Sequence, residues 1–420
     1  MVTVESSPAA NLTHADCSKP CGSSMSCSFL NLPTELRVRI LSYTDGATLL
    51  SIAATCHSLR ETVSDYDDIW RAILHPLLRP SILAGEPISC APYNSFRELY
   101  YQLRQFIWFT PGVWHGDREA HGSICISRYD PATGHIIAHE LFVQFDRSES
   151  TISPWSYNPT VLVDRTELQV MLSPLPIIKF TSATKYNSYH EIPQPRSPRG
   201  MTTNFFHATS IPLSRRYSPQ MRLWPPPLIP SDDRTRNESP TGFRGSNSTV
   251  ADASQNLFRL RRWISFANSD AYGVIMGERV ETFSKLDPAL YTPDDKHPFK
   301  GIWLGDYSSH GGEFILFHQP SPTRLEAIKL TGDPNVPRGE FTFVIDDLSH
   351  TERIATESEW PGARVVAGQG QLAGQNFTNS CMVETQLIII DSNKVASYWI
   401  ELFHISLFRR IDVAGLLAGR

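Results

Sequence analysis

No apolar run in this 420-residue chain approaches the roughly 18 residues that a membrane-spanning helix needs. The amino terminus has no basic start leading into an apolar stretch, so no secretory signal is read there. Charged residues make up only 19%, below the usual share, which excludes a chain kept unfolded by its own charge. Neither sign dominates. With 38 basic and 43 acidic residues the net charge is −5, which argues against a nucleic-acid binder. Seven cysteines, an odd number at irregular spacing, form no disulfide framework. A reducing compartment, cytoplasmic and/or nuclear, is therefore expected, with no membrane and no nucleic acid among the partners.

Catalytic signatures are also missing. There is no Gly-x-Ser-x-Gly elbow, no P-loop and no His-Glu-x-x-His, so no enzymatic activity is expected. Gly368-x-Gly370-x3-Gly374, with Asp391 downstream, imitates a dinucleotide fingerprint. Residues 373–380 read as turn chemistry, however, and a pyrophosphate needs a helix N-terminus there. The glycines are read instead as a barrel corner, and no cofactor is expected. His14, Cys17, Cys21 and Cys27 match no zinc-finger spacing and lie in a Ser-rich leader with nothing to scaffold them, so no metal is expected.

What the chain does have is enough apolar residue for a sizeable core, 41%, and 31 prolines that force long irregular connections. Residues 1–28 read as a disordered leader. From Phe29 the pattern becomes helical: Pro33 suits a first turn, and Leu36, Ile40 and Leu41 share one face. Asp45-Gly46 breaks that helix. A second carries Leu49, Leu50, Ile52 and Ala53 on a wide buried face. A third is read over 56–63, and a fourth starts at Asp67-Asp68 with Ile69, Trp70 and Leu74. Four short helices cover little, which leaves apolar surface for a partner.

Residues 30–74 resemble an F-box. The resemblance rests on Leu32-Pro33, Leu36, Ile40-Leu41, Leu49-Leu50, Ser51, Cys56-x-x-Leu59-Arg60 and Trp70. It implies docking onto a Skp-type adaptor and, through it, a cullin–RING ligase, with Leu32, Pro33, Leu36, Ile40, Leu41, Leu49 and Leu50 as the adaptor-binding residues. The F-box is bounded at 29–75. A linker and spacer helix are expected over 76–109, with Phe96, Leu99, Tyr100, Leu103, Phe106 and Ile107 at helical spacing after Asn94 or Ser95.

Beyond residue 110 the period changes to two. Phe341, Phe343 and Ile345 alternate with Thr342 and Val344, and a strand is also read over 398–403. Gly112-Val113-Trp114-His115-Gly116-Asp117 is echoed by Gly301-Ile302-Trp303-Leu304-Gly305-Asp306, each followed by His-Gly, and is read as two structural corners of one sheet. The fold class expected is α+β: an all-α F-box and linker helix, then a mainly antiparallel β-barrel over 110–180 and 257–415. Residues 181–256 are read as a mostly disordered Pro/Ser/Arg-rich insertion, with Trp224, Phe205 and Phe206 as anchors. Residues 181–262 hold 12 basic and 5 acidic residues, and Ser-Pro pairs at Ser197, Ser218 and Ser239 are read either as sites of proline-directed kinases on a regulated arm or as part of a tolerated surface insertion.

The later segments carry a second resemblance. Gly301-Ile302-Trp303-x-Gly305-x-Tyr307-x-x-His310-Gly311, residues 325–339, Gly368-x-Gly370-Gln371-x-Ala373 and residues 406–410 are similar to the C-terminal domain of the cyclin-D-degrading F-box proteins. Plant Executer proteins have a related domain. The resemblance implies a barrel that receives a client's C-terminal end, including damaged, amidated ends. It implies a substrate-recognition subunit of an SCF ubiquitin ligase that works by holding client lysines close to the transferring enzyme. Polar candidates for contacting a client are Lys329, Asp333, Asn335, Arg338, Gln369 and Gln371, walled by Trp303, His310 and Trp399. The alternative is a small-molecule-binding or stress-sensing barrel whose F-box serves as scaffolding only.

Overall fold

The computed structural model describes residues 29–81, 87–146, 152–184, 190–192, 201–212, 223–236, 253–267, 274–307 and 311–419. The chain forms two compact units, Met1–Ile73 and Leu74–Arg420. The leader with its His14 and Cys17, His310, and the Ser-Pro pairs at 197, 218 and 239 lie outside the described residues.

The first unit is helical: α1 (Thr34–Leu41), α2 (Gly46–Thr55), α3 (His57–Asp65) and the start of α4 (Asp67–Leu78). Pro33 stands just before α1 and not within its first turn. Asp45 does more than break the chain. Its Oδ1 accepts from the backbone N–H of Ala47 and Thr48 at 3.0 and 2.9 Å, satisfying two donors that the start of α2 leaves unpaired. On α1, Arg37 reaches Thr34 and, across to α3, Thr62. Leu41, Leu49, Val63, Ile69 and Trp70 are buried, and the Trp70 indole N–H donates to the Val63 carbonyl at 2.9 Å. Leu50, Ile52 and Ala53 are only half-buried, a narrower face than their spacing suggests.

In the second unit α5 spans Phe96–Leu103, capped by Ser95 Oγ on the Glu98 N–H, and is followed by a 3₁₀ turn at Ile107–Phe109. It is shorter than the 15-residue spacer that the apolar spacing of 95–109 suggests. Phe106 stacks on Phe180, and Phe109 on Trp114.

Two sheets follow, where the sequence reading placed one barrel. Residues 110–180 mostly belong to a separate antiparallel sheet built around Gly112–Gly116, Ser123–Asp130 and His135–Asp146, extended by Val274–Lys285, Ala253–Ala267 and Met201–Pro212. The stretch read as a disordered insertion thus contributes the strands His190–Ile192 and Met201–Pro212. It also buries Trp224 and Ile229.

The closed barrel has eight antiparallel strands: Gly301–Asp306, Gly312–His318, Leu325–Lys329, Phe341–Ile345, Arg364–Gly374, Thr378–Ile389, Lys394–Trp399 and His404–Arg410. The first pairs with the last through Trp303↔Arg410 and Gly305↔Phe408, which closes the ring, and the short strands Leu162–Asp164 and Ile152–Pro154 continue the sheet beyond it from His404. The strand read over 398–403 ends at Trp399. Residues 400–403 turn, and Phe403 takes a left-handed φ of 50°.

At eight strands a barrel is just wide enough for side chains to fill it. Trp303, Phe317, Phe343, Phe408, Ile315, Ile345, Val366 and Leu387 do so. The outer faces of the first strands, Ile302, Leu304, Phe314, Leu316 and Ile328, pack on Val113, Ile124, Ile126 and Leu141 of the other sheet. Double coverage explains why residues 313–317 are buried without interruption, a run that hides the two-residue period.

Candidate functional site

On α1, Leu36 is 48% exposed, Ile40 46% and Tyr43 just beyond it 79%. Their spacing of four and three residues puts them in one row. Leu32 and Leu50 are half-buried and Pro33 is exposed. Leu41 and Leu49 are different: at 1% and 0% exposure they are core and cannot touch an adaptor in this arrangement. Adjacent members of each Leu or Ile pair point about 100° apart on a helix, so one can face solvent while the other is buried.

The candidate client residues do not converge. Trp303 is fully buried in the barrel core, where its indole N–H donates to the Phe299 carbonyl at 3.0 Å. Trp399 lies over Gly370, and its N–H donates to Ser406 Oγ at 3.2 Å. Asn335 holds the Ala373 carbonyl at 3.1 Å. Arg338 donates to the Arg118 and Asp117 carbonyls at 2.8 and 2.6 Å and lies over the Trp224 ring. These are structural ties. Gln369 is exposed and Gln371 half-buried; they alternate with Gly368 and Gly370, over which the interior side chains Ile345 and Trp399 pack. The glycines of the apparent nucleotide fingerprint therefore make room inside a strand; only a single 3₁₀ turn, Gln375–Phe377, follows before the next strand, and no α-helix opens there.

Lys329 is 2% exposed, with Nζ 2.9 Å from an oxygen of both Glu313 and Asp333 and 4.5 Å from the centre of the Tyr307 ring. One ammonium cannot balance two carboxylates in a dry site. Burial raises the Asp333 carboxyl, but the charge and hydrogen bond of Lys329, with the N–H groups of Val336 and Asn335, more than offset it and hold the group at about 2. Glu313 has no such backbone donors. Burial outweighs Lys329 there and, with Asp333 beside it, pushes Glu313 up to about 8. Folding thus favours an ion pair between Lys329 and Asp333 and holds Glu313 toward its protonated form. From sequence, Lys329 reads only as a client contact; the signal that could have placed it inside is its alternation with Leu325 and Ala327 on one strand face, although its partner Glu313 on the neighbouring strand is not marked there.

Open space lies on the barrel's outer wall. A cleft of about 710 Å³ is bordered by Arg165, Glu167, Trp360, Lys394, Leu407 and Arg409, among others. None of these six was singled out as a site residue from sequence. They come from four separate stretches of chain that only the strand register brings together.

Residues 29–75 match the family model described as F-box-like, and residues 283–414 match the Cyclin D1 binding domain. The latter span encloses the eight barrel strands. F-box only protein 31 of Homo sapiens is 24% identical over 346 residues, covering 79% of this chain and 54% of that protein. F-box only protein 31-B of Xenopus laevis is 24% identical over 334 residues, 76% of this chain and 54% of the relative. The chloroplastic protein EXECUTER 1 of Arabidopsis thaliana is 30% identical over 162 residues, 32% of this chain and 22% of its own. The chain carries an F-box-like segment and a Cyclin D1 binding domain, and is homologous to F-box only protein 31 over about three quarters of its length. It spans about half the length of those F-box relatives and about a fifth of EXECUTER 1.

Proposed function

We propose that the chain is a substrate-recognition subunit of an SCF-type ubiquitin ligase, non-catalytic itself. The F-box-like unit grips a Skp-type adaptor and through it a cullin–RING ligase, and the barrel unit takes the client. The observation that carries this reading is the row of Leu36 and Ile40 on α1 with Tyr43 just beyond it, exposed on a helix that Arg37 ties to α3. An unpartnered apolar row on a helix is what a groove on another protein recognises.

The experiment is co-purification of a Skp-type adaptor with the full chain and with Leu36→Asp/Ile40→Asp. Because both residues are exposed, circular dichroism of the variant is expected to be unchanged while adaptor binding is lost. Retained adaptor binding in the folded variant refutes the proposal.

That the barrel reads a client's chain end rests on the resemblance alone. Two peptides differing only in a C-terminal carboxylate or amide test it, and equal affinity for both counts against it. The rival reading, a barrel that encloses a small molecule, has an interior filled by Trp303, Phe317, Phe343 and Phe408 to contend with.

A further inference from the structure

The cleft on the barrel wall has a charge pattern that the fold itself does not require. Lys394 and Arg409 are direct cross-strand partners on neighbouring antiparallel strands. Like charges in that position repel at close range and destabilise a sheet. Arg165 adds a third cation at the same cleft. No hydrogen bond or salt bridge holds the side chains of these three among the described residues. Glu167 offers Arg409 a longer-range attraction and Asp306 also lines the cleft, leaving three cations against two carboxylates.

Beside these charges the walls carry apolar side chains from two different cores. Leu168 belongs to the cluster between sheet and barrel, whereas Trp360 and Leu407 pack on a cluster around Trp155 and Tyr398. The volume, about 710 Å³, lies within the roughly 300–1,000 Å³ range of ligand pockets. A ligand that fits must bring negative charge to the Lys394–Arg409 pair and apolar groups to Trp360 and Leu407. A nucleic acid brings a row of phosphates that Glu167, Asp306 and the net charge of −5 oppose. An acidic peptide with interspersed apolar residues satisfies both demands.

We propose that this cleft binds a short acidic peptide segment, whose side-chain carboxylates pair with Lys394 and Arg409 while its apolar side chains lie against Trp360 and Leu407. The repulsion between the two cations is relieved when the peptide is bound.

The test uses the full chain without adaptor or ligase, so its outcome is separate from that of the receptor reading. Fluorescence anisotropy compares two end-blocked peptide pools, one alternating Glu with Leu, Phe or Trp and the other with Gln in place of Glu. The Glu pool is expected to bind at least about tenfold more tightly, and Lys394→Gln/Arg409→Gln to remove that advantage. Lys394→Glu places an opposite charge across the pair. It is expected to raise the melting temperature by about 1–3 °C while abolishing binding of the Glu pool. Equal binding of the two pools, an unaffected double variant, a lowered melting temperature for Lys394→Glu, or preferential binding of a single-stranded DNA oligomer each overturns the proposal.

Discussion

Replacing Glu313 by Gln keeps the shape of a fully enclosed side chain and removes its titration. In the folded protein burial holds this carboxyl at about 8, against 4.5 in a solvated chain. A carboxyl whose pKa is raised by folding favours the folded state below the unfolded value. That contribution is lost as pH rises toward the folded value. Between about pH 5.5 and pH 7.5 the unfolded chain has already released the proton while the folded chain mostly keeps it, so about 2–3 kcal/mol of stability is lost. Other groups titrate in the same window. His115 is enclosed, and burial, reinforced by Arg338 and Arg234, takes it down to about 3, so it removes stability as pH falls below 6.5, the opposite trend. The clean quantity is therefore a double difference. Urea unfolding of wild type and Glu313→Gln, followed by tryptophan fluorescence at both pH values, is expected to show that the variant's stability relative to wild type rises by about 2–3 kcal/mol at the higher pH. If the gap between the two proteins is the same at both values, Glu313 is ionised throughout and the charge assignment of the cluster is wrong.

Two further outcomes follow from the same interior. Lys329→Met leaves Asp333 as a buried carboxylate without its cation and is expected to cost about 3–5 kcal/mol in urea unfolding at neutral pH; a cost below 1 kcal/mol means that solvent reaches the cluster. Gly370→Ala puts a Cβ 2.1 Å from Cζ3 of Trp399, so overpacking of about 1–3 kcal/mol or more is expected, read as a lowered melting temperature.

The helical unit was legible because its signals are local. Asp45 as a cap, Asp67-Asp68 at a helix start and the row Leu36–Ile40 all lie within a turn or two of what they determine. The barrel was legible as a class, since short alternating runs separated by turns leave few other solutions. Its boundary was not. Residues 110–180 and 301–410 have the same strand character, and nothing in that character says that most of the first set forms an open sheet packed on the second while Ile152–Pro154 and Leu162–Asp164 join the barrel's sheet. The structural ties of several client candidates were hidden for a related reason. Polarity marks Lys329, Asn335 and Arg338 as candidates, yet each is engaged with a residue or backbone group distant enough in sequence to be invisible there. Arg409 and Arg410 show the same problem in two adjacent positions. Strand alternation sends Arg410 to the Trp303 ring and the Pro298 and Ser392 carbonyls, and Arg409 to the outer wall with Lys394.

The internal echo is best understood as one packing device used twice. In each copy the Trp sits two residues after a glycine, and its ring folds back over that glycine. A Cβ at Gly112 would stand 2.6 Å from the Trp114 indole nitrogen, and one at Gly301 3.0 Å from that of Trp303. Each indole N–H donates to the carbonyl of a preceding phenylalanine, Phe109 or Phe299. The second glycine of each copy lies under another ring, Phe283 over Gly116 and Phe408 over Gly305. The two copies start different sheets, so they are corners of two sheets and not of one. They diverge at the residue that points the other way. Leu304 enters the core between sheet and barrel, whereas His115, neutral and enclosed, meets the Trp224 ring. A repeated binding site would keep the outward residue and vary its support. Here the support is kept and the outward residue varies, which is the behaviour of a structural corner.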